Sequence, residues 1–314
     1  MKRAQFRGLT ALVALGSLLA LCALLGGCAR LGALLGREPA IDIAILTVLE
    51  PEYAAAAARV EDPSPVEGNA ARRYRWIRGE IESSTYDRPY HVVVGMASDK
   101  GEVAGALATS AAIGRWNPRY VLLVGIAGGV GGSASVGDVV LPDPIWSYEV
   151  GHLADSFTPE LGSHYDYAPD PALLHAALTV KPEWIHGIRA EPPGEMPVSS
   201  VVSGPIASGN KVIESKGSVL YSDLVRAEPG FIAVEMEGAG AAAAVVDATD
   251  EGYDVGFMMV RAVSDVIRAA PEGEVVEGEN YVDPERETWR NYASDVAAAF
   301  AEALIRDHWP VPPR

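Results

Sequence analysis

Four carboxylates and one guanidinium stand where this sequence could do chemistry. Glu52 follows the apolar run Ile41–Leu46. Glu235 and Glu237 lie two residues apart in Phe231–Gly240 (FIAVEMEGAG), and Arg261 and Asp265 belong to Arg261–Asp265 (RAVSD). Each is close to the end of a strand-like stretch, where a buried charge is costly unless it is paired or hydrogen-bonded. A cleft holding several carboxylates and one arginine suits a reaction that develops positive charge. Glycosidic cleavage is such a reaction: it passes through an oxocarbenium-like state and needs a proton donor on the leaving group and an activated water. Taken singly, each carboxylate also fits a helix cap or a partner for the helix dipole. Their joint occurrence is the informative feature.

Those strand ends must be placed by a framework, and the sequence predicts one. Ile41–Leu46 reads as a buried strand, and Pro51 opens an alanine-rich helix where a first turn tolerates proline. Glu61–Asn69 reads as a loop rich in Pro, Gly and acidic residues. Further strands are expected at Tyr74–Glu80, His91–Met96 and Tyr120–Gly125, with a helix over Glu102–Trp116. Gly137–Leu141 and Ile145–Val150 read as two short strands. His152–Pro197 is irregular, with one helix near Pro171–Thr179. Then strands Val198–Ser203, Ile232–Glu235 and Val255–Val260 alternate with helices Val212–Val225, Gly238–Ala248 and Pro284–His308. The fold class is therefore α/β: one domain with a central mixed, largely parallel sheet flanked by helices. Such sheets bind ligands at the carboxyl ends of their strands. Glu52, Glu237 and Asp265 all fall at such ends.

Other chemistries are excluded by what is missing. A net charge of −17 repels phosphate backbones, so nucleic acid is not an expected partner. The only cysteines are Cys22 and Cys28, near the N-terminus, which leaves the folded part without a thiol for disulfides, zinc or nucleophilic attack. The histidines are scattered, and no metal or cofactor is expected. Gly125–Gly132 (GIAGGVGG) follows a strand but fits neither the dinucleotide fingerprint nor a P-loop, which needs a lysine. It reads either as a tight turn or as backbone left bare so that N–H groups approach a ligand oxygen.

The N-terminus is a separate matter. Lys2, Arg3 and Arg7 precede an apolar stretch from Leu9 to Leu25, which ends in Leu25-Gly26-Gly27-Cys28. A basic start, a short apolar run and small residues describe an export signal, and a cysteine directly after them resembles the bacterial lipobox. The stretch is shorter than the roughly 20 residues of a spanning helix, although a single membrane anchor is the alternative. The expected division is a lipoprotein signal peptide over 1–27, a tether over 28–40 and a catalytic domain over 41–314. Cys28 would then carry the lipid that holds the exported protein at a membrane, facing the periplasm or the cell exterior.

From about Ile41 onward the chain resembles the nucleoside phosphorylase/nucleosidase superfamily, most closely its methylthioadenosine/S-adenosylhomocysteine nucleosidases. The resemblance rests on four stretches in order: Glu50-Pro51-Glu52, Gly125–Val130 (GIAGGV), Val234–Gly238 (VEMEG) and Arg261–Asp265 (RAVSD). It implies a purine nucleoside substrate and a homodimer. It also implies roles. Glu52 would activate or orient the attacking water. Asp265, in the motif with Ser264, would protonate or hydrogen-bond N7 of the leaving purine. Glu237 would bind the ribose hydroxyls, kept ionised by Arg261, and Met236 would pack on the sugar. Ala127 and Gly128 would line the sugar and base pocket, and Val212 and Ile213 would flank the base. Glu235 is expected to be structural. Ile126 stands where relatives often carry a serine, and Lys100 belongs to no motif. Superfamily phosphorylases hold phosphate with arginine after the first strand, where this chain has Glu50–Ala55 and no base before Arg59. Water is thus the favoured nucleophile. A phosphorylase using Lys100, Arg72 or Arg73, and a nucleoside-binding module without turnover, are the alternatives.

Overall fold

In the computed structural model, which describes residues 39–67, 73–160, 166–195, 199–213, 216–267 and 284–314, the first apolar run becomes β1 (Ile43–Thr47) and passes directly into α1 (Glu50–Ala57). The proposed signal peptide, Cys28, most of the tether and Arg72 lie outside these residues. β2 (Glu61–Pro65), β3 (Arg75–Ile81) and β4 (Tyr90–Met96) lead to α2 (Glu102–Trp116), β5 (Tyr120–Val130) and β6 (Val139–Ser147). Next come the hairpin of β7 (Gly151–Leu153) and β8 (Phe157–Pro159), the short β9 (Asp166–Tyr167) and α3 (Pro171–Leu178). β10 (Val201–Ser208), α4 (Val219–Ala227), β11 (Ala233–Glu235), α5 (Gly238–Asp250), β12 (Gly256–Ile267) and α6 (Pro284–Ala303) follow. Residues 41–314 make one compact unit.

The main sheet is mixed, with the order β11-β10-β6-β12-β5-β1-β4-β3-β2. Its central strands β4, β1, β5 and β12 run parallel, while β3 pairs antiparallel with β4 and β12 pairs antiparallel with β6. The expected fold class holds. Alternate residues of the central strands serve two apolar layers. Ile43, Ile45, Leu122, Val124, Met258 and Val260 face α1, α3 and α6, whereas Ala44, Leu46, Val121, Leu123, Phe257 and Met259 face α2 and α5. Being buried on both faces, these strands read as continuous apolar runs, which is why the sequence revealed them.

Four expectations are corrected. Glu61–Asn69 contains β2, an exposed edge strand whose prolines and charges hid it. The two short strands around Pro142 and Pro144 are one strand, β6. α4 starts at Val219, not Val212, because the Ser218 side chain caps it by accepting the Tyr221 N–H at 3.0 Å. β5 and β12 both run well past their predicted ends, to Val130 and Ile267.

Candidate active site

The extension of β5 builds the floor of the site. Gly125–Val130 of the glycine run is strand, and the turn begins only at Gly131 and Gly132. Gly128 and Gly129 pair with Val234 and Ala233 of β11 on one side, and with Asp265 and Val266 of β12 on the other. Strands β5, β12, β6, β10 and β11 thereby close on one another, and the segments that carry the candidate residues meet at their carboxyl ends. A β-bulge in β12 between Val263 and Asp265 makes Ser264 an extra residue and re-aims the chain. Asp265 is thus not beyond the strand, as the sequence implied, but inside it.

Arg261 is the hub. Its side chain is 1% exposed, and Nη2 donates to Glu235 at 2.5 Å and to Glu237 at 3.1 Å. Glu235 ends β11 and Glu237 stands at the N-terminal cap of α5, and both side chains reach the same guanidinium. Glu235 also accepts the N–H groups of Glu237 (2.9 Å) and Gly238 (2.8 Å), and Ser208 accepts that of Ala239 (3.0 Å). Those are the orphan donors of the α5 N-terminus, satisfied by the protein itself. Glu237 takes a further N–H from Gly101 at 2.9 Å, just before α2. The approach is close: a Cβ on Gly105 of α2 would lie 2.6 Å from the Glu237 carbonyl oxygen.

Glu52 is held by the backbone. Lying in the first turn of α1, it accepts the N–H groups of Val48 (2.9 Å), Leu49 (2.8 Å) and, across the sheet, Ile126 (2.9 Å). A Cβ at Gly125 would sit 2.5 Å from Glu52 Oε1 and against Arg261 Nη1, so this glycine lets the two side chains share one space. Asp265 is buried, and Ser264 Oγ donates to its Oδ1 at 2.6 Å. That bond fixes the carboxyl beside Gly128.

These groups open on one cavity of about 270 Å³. Glu52, Ala127, Gly128, Val212, Ile213, Met236, Glu237, Arg261, Ser264 and Asp265 all line it, so the structure brings together every candidate residue that it describes. It adds Lys211, Arg286 and Arg290, which sequence reasoning passed over, and it places Lys100 and Glu235 on the lining as well. No motif marked the four cations, and Arg286 and Arg290 become neighbours of the site only because α6 begins there.

Burial pushes the Glu237 carboxyl up to about 7. Arg261 and the Gly101 N–H pull the other way, while Glu235 and Glu52 add to the rise. The expectation that Arg261 keeps Glu237 ionised is corrected accordingly: Arg261 is shared with Glu235, its nearer partner, and burial outweighs what is left. Such a cluster, with a buried carboxyl near neutrality beside others fixed by N–H groups, matches the demands of divided acid–base work. Among the described residues no group of His, Cys, Asp and Glu is arranged to hold a metal ion.

Known proteins share this framework. A 5'-methylthioadenosine/S-adenosylhomocysteine nucleosidase of Maridesulfovibrio salexigens is 28% identical over 171 residues. That alignment covers 53% of this chain and 65% of the relative, so the chain spans just under two thirds of that protein's length. The solved nucleosidase of the same name from Neisseria meningitidis, in complex with methylthio-immucillin-A, superposes with a TM-score of 0.64 at 20% identity, over 84% of this chain and 98% of its own. Futalosine hydrolase of Helicobacter pylori also reaches 0.64, at 19% identity, over 85% of this chain and 97% of its own. At these identities the two structures speak for the fold alone. The sequence match to the superfamily itself runs from residue 42 to residue 306, which takes in every segment of the cavity, and the chain belongs to the phosphorylase superfamily.

Proposed function

We propose that this protein is a purine nucleosidase, hydrolysing the N-glycosidic bond of a 5'-substituted adenosine-type nucleoside such as methylthioadenosine or S-adenosylhomocysteine. The observation that carries the reading is the setting of Glu52. Three backbone N–H groups hold this carboxylate at the cavity floor, and the guanidinium beside it is already engaged by Glu235 and Glu237. A phosphate placed there would meet negative charge, whereas a water would meet an oriented acceptor. In the reaction, the bond from the sugar C1' to the purine breaks and its electron pair leaves with the base. Asp265, aligned by Ser264, supplies or shares the proton at N7. Glu237 binds the ribose hydroxyls, and the buried carboxylates favour the positive charge that develops on the sugar. Water oriented by Glu52 then adds to C1' and gives up a proton to that carboxylate. Met236 packs on the sugar, with Ala127, Gly128, Val212 and Ile213 around the base. The relatives named for this activity support the same reading. The test is base release from a nucleoside panel with and without inorganic phosphate. Release that needs phosphate and yields ribose 1-phosphate would establish a phosphorylase instead.

The same reading extends to placement and assembly. Cys28 is acylated and anchors an exported protein to a membrane, supported by the short apolar run ending in Leu-Gly-Gly-Cys. Among the described residues no helix is long and apolar enough to cross a membrane. Mass spectrometry of the membrane fraction should find lipid on Cys28, and an intact Met1 would refute it. The protein works as a homodimer, supported by the exposed apolar side chains Val103 (72% exposed) and Leu107, one turn apart on α2, and Val246 on neighbouring α5. Sedimentation showing a monomer at micromolar concentration would refute the dimer.

A further inference from the structure

The cavity changes sign between its floor and its mouth. The floor carries Glu52, Glu235, Glu237 and Asp265 around a single arginine. The mouth carries Lys100 before α2, Lys211 after β10, and Arg286 and Arg290 one helical turn apart at the start of α6, with Glu287 between them. Five of the 20 lining residues are basic, against 25 of 314 in a chain whose net charge is −17. Background composition does not produce such a cluster. Nor do Glu52, Glu235 and Glu237 require it, since Arg261 and backbone N–H groups already engage them.

Two of the mouth cations, Arg290 and Lys100, keep capacity for a ligand among the described residues. Lys211 is paired with Glu149 at 2.7 Å, and Arg290 Nη1 with Glu287 at 2.9 Å. Yet among the described residues Arg290 Nε has no hydrogen-bond partner and Lys100 forms no ion pair. The Arg290 side chain is 35% exposed, so the rest of its guanidinium is open to a ligand. Lys100 directly precedes Gly101, whose N–H holds Glu237, and so it stands at the sugar end of the cavity.

We infer that the mouth is an anion subsite, and that the preferred substrate carries a negatively charged group, a carboxylate or phosphate, on its 5'-substituent. This rests on the nucleosidase reading: with ribose hydroxyls on Glu237 and the base on Asp265, the substituent on C5' is the part directed outward. Lys100 and Arg290 are its principal partners, Arg290 offering a planar fork suited to carboxylate and phosphate oxygens.

The experiment compares two substrates of similar size, 5'-methylthioadenosine and 5'-carboxymethylthioadenosine, on the full protein and on a Lys100→Gln/Arg290→Gln double variant, with thermal unfolding as a check on folding. The wild-type ratio of kcat/KM should favour the carboxylate by about tenfold to a hundredfold, the range of one or two charge-assisted hydrogen bonds. The ratio should fall towards one in the double variant and with added salt. A wild-type ratio at or below one, or a ratio the double variant leaves unmoved, overturns the inference while leaving the nucleosidase reading intact. Phosphate-dependent release of ribose 1-phosphate also overturns it, because the mouth would then serve free phosphate. If neither nucleoside releases base, the nucleosidase reading fails. The subsite is then decided by calorimetric binding of the two matching 7-deazaadenosine analogues, where equal affinity refutes it.

Discussion

Replacing Glu235 by glutamine tests the hub of the site without touching any group assigned to substrate. The sequence alone cast Glu235 as structural, a control whose loss would leave kinetics nearly intact. The geometry makes that too mild. Glu235 is the nearer of the two carboxylates on a guanidinium that is 1% exposed, at 2.5 Å against 3.1 Å for Glu237. Breaking a buried pair from one side costs about 3–5 kcal/mol, because the remaining charge is left under-compensated. Losing the cap on α5 adds about 1 kcal/mol. Glutamine keeps the shape and one acceptor for the Gly238 N–H, so Glu235→Gln should lie near the lower end, about 3 kcal/mol, with Glu235→Ala above it. A second effect has a definite sign. Glu235 is one of the charges that raise the Glu237 carboxyl, and its removal also frees Arg261 for Glu237. Glu237 should therefore titrate below its value of about 7. Because ionised Glu237 is the form that accepts from the ribose hydroxyls, the acidic limb of kcat/KM should move to lower pH. Urea unfolding and a pH–rate profile on one substrate measure both. Stability unchanged within about 0.5 kcal/mol, together with an unmoved acidic limb, would refute the role of Arg261 as a shared counter-ion.

Three further outcomes are expected. A folded-state Glu237 raised from 4.5 to about 7 binds more protons than the unfolded chain in that window, so its contribution to stability is full below pH 4.5 and is lost as pH rises to about 7; Glu237→Gln should flatten this slope in urea titrations across the window, and an unchanged slope counts against it. Asp265→Asn should lower turnover by about 10²–10⁴ while binding of a 7-deazaadenosine analogue changes far less, since asparagine can hydrogen-bond but is a poor proton source; wild-type turnover in single-turnover kinetics would remove Asp265 from the proton path. Gly125→Ala should destabilise by about 1–3 kcal/mol and depress activity, because its methyl group must displace Glu52 or Arg261; a wild-type melting curve and rate would show that the two side chains do not share that space.

The sequence disclosed those parts that depend on local pattern. Central strands such as Ile43–Thr47 are apolar on both faces, and α2 was bounded at Glu102 and Trp116 because Gly101 and Asn117 flank it with φ of 97° and 45°. Site residues at ordinary strand ends, Glu52 and Glu237, were equally visible. What escaped was set by pairing between distant segments. Gly125–Val130 looks like a turn until β11 and β12 are known to lie on either side of it. The bulge that lets Asp265 sit inside a strand has no signature of its own in RAVSD. The competition of Glu235 and Glu237 for Arg261 is a matter of a few tenths of an ångström. Arg286 and Arg290 look like ordinary solvated charges on a helix, and only the placement of that helix brings them to the cavity.

The position of β12 has a consequence for how the molecule comes into being. This strand brings Arg261, Ser264 and Asp265, and it fits between β5 and β6, from which it is separated in sequence by strands β7 to β11 and helices α3 to α5. A chain synthesised only as far as α5 has the inner edges of β5 and β6 unpaired, and open strand edges invite pairing with other chains. Contacts so distant in sequence form slowly. The buried glutamates of β11 and α1 likewise await their counter-ion until that strand is in place. Sheet closure and completion of the charge cluster are therefore one event, and shortened products lacking β12 should collect as aggregates rather than as weakly active enzyme.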